Sequence, residues 1–292
     1  MRESGDAFTR TGGRRTFQTL RRLARHNLIG VLGVVIVVAL IVVALFAAQI
    51  SPFDPNAQIG KRLLPPGGAY ILGLDQLGRD VFSRLVFGTR VALGVGVTSV
   101  GVALLAGVGM GVVAGYYGGT ADTIIMRAMD VLFTLPSFVM ALVLAGILGP
   151  SLLNVVIAIT LVTTPSIARI ARGPVLAVRE AEFVTSARLT GARDRRIMFR
   201  HVLPNILAPI IVQTTVSMAD AILIEAGLSF LGLGVVPPDT SWGNMLGVGR
   251  EFMELANGLS VFPGAAIMLA VLGFNFAGDG LRDLLDPRLR TG

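Results

Sequence analysis

"EFVTSARLTGARDRRIMFRHVLPN", residues 182–205, is a charged island in an apolar chain. It holds five arginines, a glycine at 191 and a proline at 204. Before it, residues 131–168 carry no charge, and the run 201–234 into which it leads carries only Asp220 and Glu225. A helix needs about 20 apolar residues to cross a bilayer, so both flanks are long enough. The island therefore reads as a loop between two membrane crossings.

Composition agrees. The 292 residues are 53% hydrophobic and 15% charged, with 36 glycines, and the mean hydropathy is +0.74. Soluble domains carry about 25% charged residues, and glycine is commoner in membrane helices than in soluble ones. The absence of cysteine excludes a disulfide framework, thiolate metal sites and a cysteine nucleophile. Further uncharged runs cover 28–50, 91–121 and 255–278. The 38 residues of 131–168 would make one helix of about 57 Å, nearly twice a hydrocarbon core of about 30 Å. Gly149, Pro150 and Ser151 divide that run into two spans. The expected fold is all-α and polytopic, with six transmembrane helices.

Six crossings put both termini on one side. With the N-terminus cytoplasmic, the inner segments hold 19 of the 25 basic residues and the outer loops six. The positive-inside rule therefore predicts cytoplasmic termini and a cytoplasmic island. The expected division is a basic tail 1–27, a first span 28–50, an outer loop 51–90, a core 91–281 and a tail 282–292. The first span is too long for the apolar core of a cleaved signal peptide, so it is expected to be retained. In the outer loop, "GRDVFSR" (78–84) predicts an amphipathic surface helix with Val81, Phe82, Leu85 and Val86 toward lipid. Trp242 is expected as an interfacial anchor.

Within the island, Phe183, Val184 and Ala187 share one helical face. Gly191 suits the left-handed position that ends a helix. Asp194 suits the cap of a second helix, where Ile197, Met198, His201 and Val202 repeat the apolar spacing. Pro204 suits the first turn of the next span. A DNA-binding helix-turn-helix has similar spacing and welcomes arginines. Spans crowd both sides here, leaving no bundle to support a recognition helix, and nucleic acid is not an expected partner. A plain basic loop drawn to anionic lipid explains the arginines but not the glycine stop.

On these residues the island resembles the EAA loop of ABC-importer permeases: Glu-Ala-Ala, three residues, Gly, nine residues, Ile-x-Leu-Pro. Gly191, Leu203 and Pro204 match, while the Glu-Ala-Ala positions read Thr185, Ser186 and Ala187, and His201 replaces the isoleucine. Four further stretches resemble the dipeptide/oligopeptide/nickel group and its C-type subunit. They are "LGLDQLGRDVFSRLVFGTR" (72–90), "GYYGGTADTIIMRAMDVLFTLPSF" (115–138), "EAGLSFLGLGVVPPDTSWGNML" (225–246) and "GDGLRDLLDPRLR" (278–290). The resemblance implies the ABC type I importer permease fold in a bacterial plasma (inner) membrane. It also implies a B-type permease partner, two cytoplasmic ABC ATPase subunits and an extracytoplasmic substrate-binding protein.

The resemblance makes the segment at about 177–203 the ATPase-coupling element, with Glu182, Phe183, Val184, Ala187, Arg188, Gly191, Ala192, Asp194, Leu203 and Pro204 as its residues. No phosphate loop G-x-x-x-x-G-K-[ST] occurs, so ATP is expected to be bound by partner subunits and no cofactor by this chain. The chain is expected to be a translocation subunit and not an enzyme. Peptides are the expected cargo, with nickel chelates or another small solute as alternatives. A stand-alone secondary transporter is the other reading, although no internal repeat of that class is evident.

Asp220 and Glu225 are candidates for the translocation path, because an acidic side chain facing lipid costs about 2.5–3.5 kcal/mol. The competing reading keeps both near the outer end, solvated or paired. Asp130 is expected to pair with Arg127 at helical spacing. Gly109 to Ala114 match a dinucleotide fingerprint by accident, inside an uncharged run with no preceding strand. Gly107, Gly111 and Gly115 predict instead a close helix-packing face. The two histidines, His26 and His201, do not make a metal site.

Overall fold

A computed structural model describes residues 28–236 and 238–285; the basic tail 1–27 and residues 286–292 lie outside the described residues. The regular elements among the described residues are helices. Two isolated β-bridges, Gly67 with Tyr70 and Leu74 with Asp80, stiffen the outer loop. Among the described residues, five stretches are long and apolar enough to cross a membrane: α1 (Leu28–Leu45), α3 (Val81–Tyr117), α6 (Leu152–Val178), the run Asp194–Phe230 and α11 (Gly258–Leu285). The turn Ala47–Ile50 is α2.

A sixth crossing exists only as a bent pair. Helices α4 (Gly119–Leu132) and α5 (Ser137–Leu148) meet at 79°. With 12 residues, α5 is about 18 Å long, short of a core of about 30 Å. Two forces set the bend. Pro136 disfavours helical backbone at the residue before it. Ion pairs also hold α4 across α6, Asp122 with Arg172 at 2.5 Å and Asp130 with Arg169 at 2.6 Å. Asp130 therefore pairs 39 residues along the chain, not with Arg127. Arg169 adds a contact over the Phe133 ring at 4.3 Å.

Helices α3 and α6 cross through the glycine stripe. A Cβ on Gly107 would lie 2.9 Å from Thr164 O, and one on Gly111 2.4 Å from Ala168 O. One on Gly115 would lie 2.8 Å from the Val175 side chain. The backbones touch there because no side chain intervenes, which is how membrane helices gain packing without a hydrophobic force between them. The main core gathers α3, α5, α6, α9 (Leu207–Phe230), α10 (Trp242–Glu251) and α11 around Val95, Val100, Ile159, Ile222, Leu228 and Trp242.

The outer loop corrects two expectations. Residues 81–90 do not form a separate surface helix; they are the first turns of the 37-residue α3. Asp80 caps that helix, accepting from Ser83 N at 2.8 Å and Ser83 Oγ at 2.7 Å. Val81 and Val86 are buried; Leu63 and Leu72 of the loop, with Met245 and Leu259, cover Val81. Asp75 organises that loop, accepting from Leu77 N and Arg79 N and pairing with Arg79 Nε at 2.8 Å. Trp242 is no interfacial anchor either. It is 1% exposed, and its Nε1 donates to Leu85 O at 2.9 Å.

Candidate functional site

The charged island forms an elbow. Helix α7 (Glu182–Leu189) leads to α8 (Asp194–Ile197), then a π turn (Met198–Val202), a 3-10 turn (Leu203–Ile206) and α9. Glu182 lies in the first turn of α7, where a carboxylate favours the positive end of the helix dipole. The other end closes as a Schellman motif. Ala192 N donates to Ala187 O at 3.0 Å and Gly191 N to Arg188 O at 2.9 Å. Gly191 has φ +80°, and a Cβ there would meet nothing within 4 Å. The glycine is needed for its backbone angle, not for space.

The apolar face of α7 points inward. Val184 is fully buried in a cluster with Val112, Tyr116, Val175, Ile197 and Val202 from α3, α6 and the elbow itself. Ala187, Ala192 and Leu203 pack against the same cluster. Val184 and Ala187 therefore face the chain's own core rather than the outside of α7. The exposed apolar residues of α7 are Phe183, 45% exposed, and Leu189, 84% exposed. Leu189 was not singled out from sequence, since it lies off the Phe183 face by helical spacing.

Polar contacts lock the elbow. Asp194 does not cap α8, whose cap position is Arg193. Its carboxylate accepts from Tyr116 Oη at 2.7 Å, fastening the elbow to the end of α3. Arg188 lies over the Tyr116 ring at 5.2 Å. Tyr116 carries no sequence signal for this, being one of two adjacent tyrosines at a helix end. Pro204 falls at the start of the 3-10 turn, where it needs no N–H donor.

Residues 107–291 match the family described as binding-protein-dependent transport system inner membrane component. The chain belongs to this family. Residues 16–66 match the N-terminal transmembrane domain of oligopeptide transport permease C. The permease is 42% identical to a dipeptide transport system permease protein of Alkalihalophilus pseudofirmus, over 95% of this chain and 90% of that one. It is 44% identical to a di/tripeptide transport system permease protein of Pseudomonas aeruginosa, over 91% and 90%. It is 42% identical to a glutathione transport system permease protein of Pectobacterium atrosepticum, over 93% and 90%. It is thus an all-α, multi-pass inner-membrane permease of the C type.

The two acidic residues of α9 separate in this permease. Glu225 is 1% exposed, and its Oε1 accepts from Ser229 Oγ at 2.7 Å. Ser229 Oγ also accepts from Val235 N at 3.3 Å, so the carboxylate helps tie α9 to the chain that returns toward α10. Asp220 is exposed on the protein surface. Replacing Glu225 with glutamine keeps the Ser229 contact and is expected to leave thermal stability nearly unchanged. Alanine opens a cavity and strands Ser229, and a thermal melt of the purified permease should fall by about 4 °C or more.

Proposed function

We propose that this permease forms, with a B-type permease, the passage of an ATP-driven importer for di- or oligopeptides. Two cytoplasmic ATPase subunits drive it through α7, and an extracytoplasmic binding protein delivers the cargo. Both termini and the elbow face the cytoplasm, as the distribution of arginines favours. The peptide substrate is supported by the names of the relatives, which carry dipeptides, di- or tripeptides and glutathione.

The observation that carries the coupling role is the shared core of elbow and passage. Val184, Ile197 and Val202 pack with Val112 of α3 and Val175 of α6. A push delivered to Phe183 and Leu189 on the outside of α7 therefore displaces the inner ends of three spans together. Arg188 stays beside Tyr116 and Asp194 through that motion. Gly191, Ala192, Leu203 and Pro204 keep the joint to α9 short, and Glu182 starts the helix.

Asp220 is the passage residue of the two candidates. An exposed carboxylate at bilayer depth avoids lipid by facing the passage or the partner permease, and in the passage it meets the cationic amino end of a peptide. Glu225 supports the wall. Uptake by the complete complex in proteoliposomes tests the reading: it should require ATP, the ATPases and the binding protein. Asp220→Asn should cut peptide uptake about tenfold, as the loss of roughly 1.4 kcal/mol would, with assembly intact. Solute accumulation by the permease without an ATPase would establish a secondary transporter instead.

A further inference from the structure

We infer that the arginine pocket on α8 and the π turn that follows it binds the phosphate headgroup of an anionic phospholipid. Arg193, Arg195, Arg196, Arg200 and Phe199 line one open cavity of about 470 Å³. The ion pairs among the described residues involve none of these four arginines. Asp194, the acidic residue amid them, has its carboxylate engaged by Tyr116. The pocket thus gathers four guanidinium groups that form no ion pair among the described residues, against the single carboxylate of Asp194. Guanidinium forks match phosphate oxygens.

Two observations favour a lipid over a soluble anion or an acidic protein surface. Phe199 is 62% exposed among the arginines, so the pocket offers an apolar surface beside its charge. Its depth is also right. Helical backbone continues from Arg200 into α9, which begins at Leu207, about 10 Å further along the axis. That puts the guanidinium groups at headgroup level when α9 crosses the bilayer. The π turn Met198–Val202 adds a residue to the helix just where Phe199 and Arg200 join the pocket, and such turns recur at functional sites. The site is independent of what the permease transports.

The test uses the purified complex, delipidated in neutral detergent and titrated with phosphatidylglycerol or phosphatidylcholine, with bound lipid counted by native mass spectrometry. Each arginine near an anionic headgroup contributes about fivefold in affinity, so phosphatidylglycerol should be held more than tenfold tighter. The Arg195→Gln, Arg196→Gln double variant should lose most of that preference, while Arg127→Gln, on the exposed side of α4, keeps it. A photoreactive phosphatidylglycerol should label the peptide carrying Phe199 in the unaltered protein. Equal retention of the two lipids, absence of that adduct, or displacement by millimolar inorganic phosphate would overturn the proposal. So would a double variant that sheds the ATPases while keeping its lipid preference, since the occupant would then be an acidic protein surface.

Discussion

Replacing Gly111 with leucine will leave little intact permease to purify. The new Cβ would stand 2.4 Å from Ala168 O, 2.8 Å from Ala171 Cβ and 3.1 Å from Arg172 N. Two of these are backbone atoms of α6, which cannot swing aside as a flexible side chain can. Relief requires the two helices to separate, and separation also breaks the approaches at Gly107 and Gly115. Overpacking costs about 1–3 kcal/mol in a well-packed core, and here it falls on the crossing that holds the stripe together. Complex recovered by size exclusion should drop about tenfold or more. Gly109→Leu is the control: it lies on the same helix, yet a Cβ there meets nothing within 4 Å. Equal yields from the two variants would mean that the stripe does not hold α3 to α6.

Gly191→Val should separate fuel use from cargo movement. Open space surrounds the position, so the whole effect arises from φ +80°. Left-handed backbone costs an ordinary L-residue about 1–2 kcal/mol, and branching at Cβ makes it worse. The chain escapes by opening the closure between Ala187 and Ala192, and the joint slackens. In proteoliposomes ATP hydrolysis should persist while peptide uptake falls at least about tenfold. Gly191→Asn should keep most uptake, because asparagine tolerates this conformation. Normal uptake by the valine variant would show that force does not pass through this turn.

Much of this architecture can be read from the residues. Charge-free runs mark the crossings because a bilayer penalises charge, and the stripe at 107, 111 and 115 marks a helix contact because only glycine admits one so close. The turn at Gly191 announces itself for the same reason. Facing is harder to read. A membrane helix is apolar on every side, so periodicity tells which residues share a face but not whether lipid, a partner or the chain's own core covers it. Outside the spans the same limit holds: Trp242, expected at the membrane interface, is covered by the chain's own core. Long-range polar partners leave no local trace: Asp130 finds Arg169 and Asp194 finds Tyr116, where sequence offered Arg127 and a helix cap. The break in the third crossing is hinted at by Pro136, but the uncharged run around it hides where the helix stops.

The length of α3 has a thermodynamic corollary. Its 37 residues make a rod of about 55 Å, well beyond a core of about 30 Å. At the outer tip Arg84 is gripped by Asp75 and Pro55 O, and Leu85 O holds Trp242. At the opposite tip Tyr116 holds Asp194. In the proposed orientation, receptor docking outside and nucleotide binding inside pull on one continuous beam. Linkage between two ligands is reciprocal. Whatever factor the docked receptor adds to nucleotide affinity, the nucleotide must return to the grip on the receptor.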